Sequence, residues 1–480
     1  MTAAWPAERP QTRRPLSLPK RGAQRFAIGH LHPMVLVYLV CVVLSVGFYA
    51  GPLLMTTLRL LLLAMVLPLM VQLIMGKFGR LRASDFLFFG HVIWMTAALW
   101  VNNPAQVVQQ SGSVGVEFIG GYLMGRAYVR SRADFLGLCQ ALVLLVLASV
   151  PFALLETVTG DPLLISLIRK LPGIRTVEIL SIEKRMGLER VQSTFAHPIH
   201  YGLFCSVAFS LCFIALQDVY STKRRFLTCA IVAFAGFLAL SSGALLAIVL
   251  QVALIGWSLI FARIPWRWWL LVGLFALAYL AIDLLSNRSP LRVFMSYATF
   301  SAHNAYWRGI IFEWGIMNVF GSAVEQIPAN VLFGIGLNDW VRPWYMYSGS
   351  MDNFWLVLTV RYGVPGAVLL IGGWAAMILA MMRRDLSGDA QLTRFRRAWV
   401  FTFLGLSFTL CTVHVWTNIY SFIFFMFGAG LWMLEAPLNT GPAAKSGSDK
   451  AESGENSPRG GHVYSRFPPR PTPSNPGTHV

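Results

Sequence analysis

Charged residues are scarce in this chain of 480 residues, where Asp, Glu, Lys and Arg make up 12% against 56% hydrophobic residues. A soluble globular protein carries roughly 25% charged residues. Half that fraction is too little to cover a water-soluble particle, which excludes a cytosolic enzyme. Continuous apolar stretches of about 20 residues recur along the chain and favour membrane-spanning helices. An outer-membrane barrel is excluded too, because its strands alternate apolar and polar residues.

Cysteines are few and follow no disulfide or metal-binding pattern. All six fall in apolar stretches without a Cys-x-x-Cys spacing, which predicts small buried side chains. The sequence also lacks HExxH and clusters of Asp, so no metal cofactor is expected. No base-reading motif accompanies the net charge of +18, which argues against a nucleic-acid partner.

The apolar stretches predict an all-α, polytopic integral membrane protein with about 12 transmembrane helices and a large late periplasmic loop. The predicted spans are 34–51, 56–75, 85–101, 112–129, 134–156, 199–217, 226–241, 243–262, 267–285, 352–382, 398–416 and 418–434. The tenth is predicted to break at Gly363-Val364-Pro365-Gly366, which is tolerated at membrane depth where the backbone lines a cavity or is buried in protein.

Loop charge agrees with this topology. With the Arg-rich N-terminal tail inside, the basic loops around Arg82, Arg132 and Arg384 fall in the cytoplasm, as the positive-inside rule requires. The short loops on the other side, 102–111 and 241–242, carry no Lys or Arg. Both termini are therefore predicted to be cytoplasmic.

The chain divides into three predicted regions: a basic cytoplasmic tail over 1–33, a membrane domain over 34–435 and a cytoplasmic tail over 436–480. The last is rich in Pro, Gly and Ser and is predicted to be disordered. Two outer segments, 157–198 and 286–351, are long and basic. Because the spans carry little chemistry, the function is expected at this outer face.

The first candidate site ends the earlier outer segment, where Arg190 precedes His197 and His200 at re-entry into the membrane. A guanidinium group binds phosphate oxygens bidentately, which predicts an anion site. The alternative is structural: Arg, His and Tyr side chains anchor the chain at headgroup depth.

The second and third candidates lie in and after the later outer segment. Arg308 belongs to an amphipathic helical stretch that runs to about Phe320, where it either binds an anion or anchors the helix. Asp352, followed by Asn353, begins the broken span, at a depth where a carboxylate is costly unless functional or paired. Asp352 is therefore predicted to be a general base toward a sugar hydroxyl, or else a helix N-cap.

Other ionisable residues are weaker candidates. Arg288 and Arg292 lie in the later outer segment, and Glu117 is positioned to help line a cavity in the membrane. The remaining ones are scattered singly, and most are expected to be satisfied polar groups of the core or interface: Arg59, His91, Asp283 and His414.

Taken together, these motifs resemble the O-antigen ligase and Wzy-type polymerase superfamily over about 85–435. Asp352-Asn353, nine residues and Gly363-x-x-Gly366 resemble its His-Asn, nine residues, Gly-x-x-Gly pattern. The other resembling elements are Arg190…Phe195-Ala196-His197-Pro198…Gly202, and Arg308 followed by Phe333-Gly334-Ile335-Gly336. The sequence departs from the family at Asp352, where the ligases carry His, and at Ser241-Ser242, where relatives often show Ser-Arg. The Asp favours a polymerase-like relative.

The resemblance implies a metal-independent glycosyltransferase of the bacterial inner membrane, active at the periplasmic face. It would polymerise exopolysaccharide or O-antigen repeat units with inversion, using undecaprenyl-diphosphate-linked oligosaccharides as donors and no cofactor. Asp352 would be catalytic, with Arg190 and Arg308 binding the diphosphate. His197, His200, Asn353, Arg288, Arg292 and Glu117 would bind or support the substrate. The implied partners are the lipid-linked donor, a sugar-hydroxyl acceptor, the lipid bilayer and a chain-length regulator.

Two alternatives remain open at this point. One is an O-antigen ligase that transfers a finished glycan to lipid A core or another acceptor, which differs only in acceptor contacts. The other is a polysaccharide transporter or flippase without covalent chemistry. The large motif-bearing outer segment and the absence of paired broken helices favour an enzyme over the transporter.

Overall fold

The computed structural model describes residues 27–51, 53–287, 290, 293, 294 and 302–439. Arg288, Arg292, most of the predicted N-terminal tail and residues 440–480 of the predicted C-terminal tail lie outside these ranges.

The described chain is almost entirely helical, as predicted, and each predicted span overlaps a helix. The α-helices are α1 Pro33–Val43, α2 Thr57–Ile74, α3 Ala83–Asn102, α4 Val107–Gly115, α5 Gly121–Tyr128, α6 Arg132–Thr159, α7 Leu163–Arg169, α8 Pro198–Ile214, α9 Thr222–Leu238, α10 Ser242–Ile260, α11 Arg267–Leu285, α12 Ala302–Phe320, α13 Phe354–Arg383, α14 Ala390–Thr409 and α15 Thr417–Gly428.

Within the described ranges, eight helices are long and apolar enough to cross a membrane. They are α2, α3, α6, α8 with its 3-10 extension to Asp218, α10, α11, α13, and α15 extended to Leu434. This defines a multispanning α-helical membrane protein, while the count of about 12 crossings stays a prediction.

The first predicted span is wrong in its second half. Helix α1 ends at Val43, and the chain continues as strand β1 (Val46–Ala50), which pairs antiparallel with β2 (Leu53–Thr56). A third strand, β3 (Arg175–Thr176), adds to the other side of β1. Apolar runs of this length do not separate strand from helix by hydropathy alone, and the β-branched and aromatic residues of β1 favour a strand.

The penultimate span is shifted from the predicted 398–416 to α14, Ala390–Thr409. The Asp389 carboxylate accepts the Leu392 N–H at 2.9 Å and so caps the helix at its start. Basic residues in the first turns of α14 lower the hydropathy there. For this reason the apolar stretch in the sequence begins later than the helix does. As a result, residues 410–416 form a connection that carries His414 and Trp416, rather than the end of a helix.

Close packing of α5 on α15 uses small residues, as membrane helices commonly do. A Cβ added to Gly121 would lie 2.5 Å from the Ser421 carbonyl oxygen, and one at Gly428 would lie 2.2 Å from the Tyr122 oxygen. Gly121 and Gly125 thus form a Gly-x-x-x-Gly face against which the α15 backbone packs directly.

Contacts join loops that the charge pattern predicts to lie on the same side. At one end, Arg132 donates to both oxygens of Asp389 at 2.9 and 2.6 Å, and Arg82 pairs with Glu435 at 2.7 Å. At the other end, the Phe354 N–H donates to the Leu410 carbonyl at 2.9 Å. The compartment at each end remains a prediction.

Helix α13 breaks at Gly363, as predicted, where φ is 73° and ψ is 175°. The break frees backbone groups, and residues 331–336 pair with them. The Ile335 and Gly336 N–H groups donate to the Val360 and Arg361 carbonyls at 2.8 and 2.9 Å. A Cβ at Gly334 would lie 2.4 Å from the Val360 oxygen. The backbone of the Gly-x-Gly segment therefore packs directly against the backbone of α13. This contact fixes the first half of α13 against the outer segment.

Two ring N–H groups from α3, those of Trp94 and His91, bond to carbonyl oxygens beside the break. The Trp94 indole N–H donates to the Tyr362 carbonyl at 3.0 Å, and His91 Nδ1 lies 2.7 Å from the Gly366 carbonyl oxygen. Since buried carbonyls without partners are costly in a membrane, α3 and residues 331–336 together stabilise the interruption. His91 is thus a structural polar group, as expected.

Candidate functional site

Asn353, and not Asp352, caps the first half of α13. The Asn353 side-chain oxygen accepts the Leu356 N–H at 3.1 Å, so the predicted alternative of a structural cap at Asp352 is wrong. The Asp352 carboxylate is half-buried and accepts the Ser350 hydroxyl at 2.8 Å. Because the cap is supplied by its neighbour, Asp352 remains available for another role.

A buried carboxylate that the sequence did not single out fixes the backbone just after Arg190. Glu156, near the end of α6, accepts the backbone N–H groups of Gln192 at 2.7 Å and of Ser193 at 3.0 Å. These bonds tie the chain just after Arg190 to a membrane helix. Glu156 thereby acts as a positioning residue for the arginine.

Asp352 lies within electrostatic range of the residues that the sequence placed in one site. The structure brings it together with Arg190, Arg308 and His197, and adds Arg185, which the sequence did not single out. We call Arg185, Arg190, Arg308 and Asp352 the arginine cluster. The cluster contains three guanidinium groups and one carboxylate, so it carries excess positive charge. This charge favours the binding of an anion.

The arginines of the cluster are desolvated. Burial lowers the pKa of Arg190 to about 10, the charge of Arg185 acts in the same direction, and Asp352 opposes both. Burial likewise lowers the pKa of Arg308 and of Arg185, again opposed by Asp352. Arg190 therefore stays charged at neutral pH but is less well stabilised than an arginine in water.

Two guanidinium nitrogens of the cluster are buried without a hydrogen-bond partner among the described residues. They are Nε of Arg190 and Nη1 of Arg308. Buried donors in folded proteins are almost always paired, and an unpaired one costs about 1–3 kcal/mol. Donors in this state are ready to bind the oxygens of a phosphate or carboxylate.

Arg185 reaches the cluster from the outer loop and is fixed by the turn between α9 and α10. Its Nη1 donates to the Leu240 carbonyl at 2.8 Å, immediately before Ser241-Ser242. At Ser241-Ser242 the chain lacks the arginine that members of the resembling family often carry. The structure brings the guanidinium group of Arg185 to the same turn from another part of the chain. No local pattern in the sequence marks Arg185, because the contact spans 55 residues.

The two histidines lie between the cluster and an aromatic wall. His197 caps α8, with Nδ1 accepting the Ile199 N–H at 3.1 Å. Burial and then the charge of Arg190 lower the pKa of His197 to about 4, so it is neutral at pH 7. The Trp416 ring lies 4.2 Å from the His200 ring and 5.9 Å from the His197 ring, centroid to centroid. His197 thus caps a helix and also lies within electrostatic range of Arg190 and Asp352.

Glu117 lies in a π-helical turn, Val116–Gly120, between α4 and α5. Its carboxylate pairs with Arg59 Nε at 2.7 Å, so these two charges, far apart in the sequence, satisfy each other. Glu117 also lines a cleft, as predicted. The other residues lining the cleft are Gln110, Val114, Phe354, Val357, Leu358, Arg361, Tyr362, His414, Val415, Trp416, Thr417 and Tyr420.

In the part of the chain that the structure describes, no group of three or more His, Cys, Asp or Glu side chains is arranged to hold a metal ion. The chemistry available from these residues is anion binding by guanidinium groups and proton transfer at one carboxylate.

Comparisons with known proteins add little to this site. No protein-family model matches the sequence, and no curated protein matches it. A chain from the structure of a peptidoglycan synthase complex, described as coordinating polymerization and crosslinking, aligns over 73% of this chain and 95% of that chain, with 19% identity and a TM-score of 0.34. Similarity at that level does not define a common fold, and the functional argument rests on the site itself.

Proposed function

We propose that the chain is a membrane glycosyltransferase that uses a diphosphate-linked saccharide donor, and that it polymerises exopolysaccharide or O-antigen repeat units. The observation that carries the proposal is the arginine cluster, in which one carboxylate lies within electrostatic range of three guanidinium groups. A diphosphate bridge carries negative charge on each phosphate group, and planar guanidinium groups match its oxygens.

In the proposed reaction, Arg185, Arg190 and Arg308 bind the diphosphate of an undecaprenyl-linked oligosaccharide. Asp352 accepts the proton of an acceptor hydroxyl as its oxygen attacks the anomeric carbon. The bond from that carbon to the diphosphate oxygen breaks, and the lipid diphosphate leaves with the bonding electrons. Attack opposite the leaving group inverts the anomeric centre. The guanidinium groups stabilise the charge that develops on the leaving oxygen.

The supporting residues take narrower roles in this proposal. His197, neutral at pH 7, does not add charge to the cluster but borders it. Asn353 holds the start of α13, and with it the backbone on which Asp352 lies. The active site would face the periplasm, as the loop charges predict.

Replacement of Asp352 by Asn tests the catalytic assignment. We expect Asp352→Asn to reduce polymer by at least about 100-fold, the lower range for loss of a general base, with normal protein abundance in the membrane. The measurement is gel analysis of surface polysaccharide in a deletion strain that carries each variant. A transporter would tolerate the change and still deliver polymer.

The matched control is Asp339→Asn. Asp339 belongs to the same outer segment and pairs with Arg342 at 2.6 Å, outside the arginine cluster. It should retain wild-type polymer. Normal polymer from Asp352→Asn, or an equal loss from both variants, would refute the role of Asp352.

A further inference from the structure

The cleft lined by Glu117 and Arg361 is not used by the donor in the reaction proposed above. Its volume is about 100 Å³, several times the roughly 10–15 Å³ that one water requires. It is smaller than the roughly 300 Å³ at which pockets for drug-sized ligands begin. The cleft is therefore of a size to take part or all of one sugar ring, and not a whole repeat unit.

A buried ion pair lies at one side of the cleft. Glu117 is buried and pairs with the half-buried Arg59. Ionisable side chains inside a membrane protein are expensive and usually functional. The π-helical turn Val116–Gly120 that carries Glu117 interrupts an otherwise α-helical stretch, and such turns occur frequently at functional sites. The ion pair between α2 and this turn, and the π-helical geometry of the turn, thus both point to the cleft.

Two further polar side chains line the cleft, Arg361 and His414. Arg361, in the first half of α13, has no carboxylate within ion-pair distance among the described residues. His414 Nδ1 is buried and has no hydrogen-bond partner among them. An acceptor, a donor and an imidazole therefore face one small space, which is the arrangement that ring hydroxyls require because each can donate and accept.

One tryptophan separates this cleft from the arginine cluster. Trp416 lines the cleft, and its ring centroid lies 5.7 Å from that of His414 and 4.2 Å from that of His200. His197, on the other side, interacts electrostatically with Asp352. Phe354, two residues after Asp352, also lines the cleft. The cleft and the proposed base therefore share a wall and a helix start.

We propose that this cleft is the acceptor subsite and binds one sugar ring of the acceptor glycan. The proposal rests on the proposed function. Glu117 accepts and Arg361 donates hydrogen bonds at the edge of the ring, and the indole of Trp416 packs against its apolar face. A ring held there has its hydroxyls on the side of Asp352, while the diphosphate of the donor occupies the arginine cluster.

Saturation-transfer NMR with the purified full-length protein in lipid nanodiscs tests this subsite. The probe is the repeat-unit oligosaccharide released by mild hydrolysis from the polysaccharide of the strain that carries the gene. We expect transfer to the sugar protons with the wild type, and at least about tenfold weaker binding with Glu117→Gln and Arg361→Gln. The matched controls, Glu325→Gln and Arg383→Gln, change exposed residues and should bind like the wild type.

Arg361→Gln keeps the test decisive where Glu117→Gln unfolds the protein by leaving Arg59 without its partner. Folding is checked by the melting midpoint and by elution as a single species. Absence of transfer with the wild type, or equal binding by Arg361→Gln and Arg383→Gln, overturns the acceptor subsite.

Asp352→Asn separates this proposal from the proposed function. It should bind the oligosaccharide like the wild type while making no polymer. Normal polymer from Asp352→Asn would refute the catalytic proposal and leave the binding result to be judged by the Arg361 variant alone.

Discussion

At the scale of single residues, the arginine cluster is defined by contacts that join distant parts of the chain. Arg190 and Arg308 were predicted from the sequence because each is a basic residue in a motif at an outer segment. Arg185 and Glu156 were not, because their roles depend on a loop that folds back onto α6 and onto the turn between α9 and α10. A single sequence indicates which charged residues lie at unusual positions. It does not show which distant loops fold back to contact them.

The arginine cluster should bind inorganic pyrophosphate in the absence of any sugar. Each charged hydrogen bond contributes about 1.5–3 kcal/mol, so we expect Arg185→Gln and Arg190→Gln each to weaken binding by roughly tenfold or more. The measurement is titration calorimetry on the nanodisc protein at fixed ionic strength, because such binding weakens with salt.

Arg175→Gln is the control for this titration. Arg175 is exposed in the same outer loop, beside Tyr49. Its replacement by Gln removes the same charge at a position outside the arginine cluster. Binding that is equal in the Arg185 and Arg175 variants would exclude Arg185 from the anion site.

Two histidines of the outer face should make stability depend on pH. Burial lowers the pKa of His414 to about 3 and that of His197 to about 4, both below the usual value near 6.5. Between those values the unfolded chain binds more protons, so the free energy of unfolding should rise with pH and be lost as pH falls from 6.5 toward 4. Each histidine contributes about 1–2 kcal/mol between pH 7 and pH 5.

The thermal midpoint of the unliganded protein, measured between pH 7.5 and pH 5, checks this expectation. His414→Gln should show a shallower loss, because Gln does not titrate. The charged groups that face these histidines are Arg361 for His414, and Arg185, Arg190 and Asp352 for His197. Identical pH profiles for wild type and His414→Gln would contradict the assignment.

At the scale of elements, the broken helix α13 shows why glycine occupies position 363 of the motif. Gly363 has a positive φ in a region that is almost restricted to glycine, and a Cβ there would lie 2.1 Å from the Leu332 carbonyl oxygen. The pattern of residues predicted the break itself. It did not predict that residues 331–336 supply the hydrogen bonds that the break requires, because that pairing links segments about 25 residues apart.

Gly363→Ala should lower the free energy of unfolding by more than about 2 kcal/mol, since backbone strain of about 1–3 kcal/mol adds to the steric clash. It should also reduce activity, because the first half of α13 carries Asn353 and follows Asp352. The measurement is the thermal midpoint together with polymer yield. Gly273→Ala is the control: a Cβ there meets no atom within 4 Å, and Ala favours a helix by about 0.5–1 kcal/mol. Equal stability of the two variants would refute the close backbone contact between α13 and residues 331–336.

The two predicted spans that the structure corrects share one physical cause. Hydropathy reports whether a segment is apolar and not which hydrogen bonds it forms. Residues 46–50 are apolar but pair as a strand, and the start of α14 is basic but helical because Asp389 caps it. Element boundaries therefore depend on local hydrogen bonds, whereas the existence of most spans follows from composition.

At the scale of the whole molecule, the proposal requires the arginine cluster to face the periplasm. Ser348 and Ser387 are exposed at opposite ends of α13 and each accepts a single-cysteine substitution for labelling in a Cys411→Ser background. We expect a membrane-impermeant maleimide to label Ser348→Cys in cells with a permeabilised outer membrane, and Ser387→Cys only after the inner membrane is disrupted. The reverse pattern would place the cluster in the cytosol and refute the use of a flipped donor.

A set of fixed guanidinium groups binds whatever anion the reaction leaves behind. In the proposed reaction, the isoprenoid carrier would still bear its diphosphate after transfer, so the affinity that captures a fresh donor would also delay departure of the used one. Turnover would then be governed by how fast the carrier diffuses back into the bilayer and is dephosphorylated. In the cell, the rate of chain growth would thus follow carrier recycling, and free pyrophosphate would act as a competitive inhibitor of each new cycle.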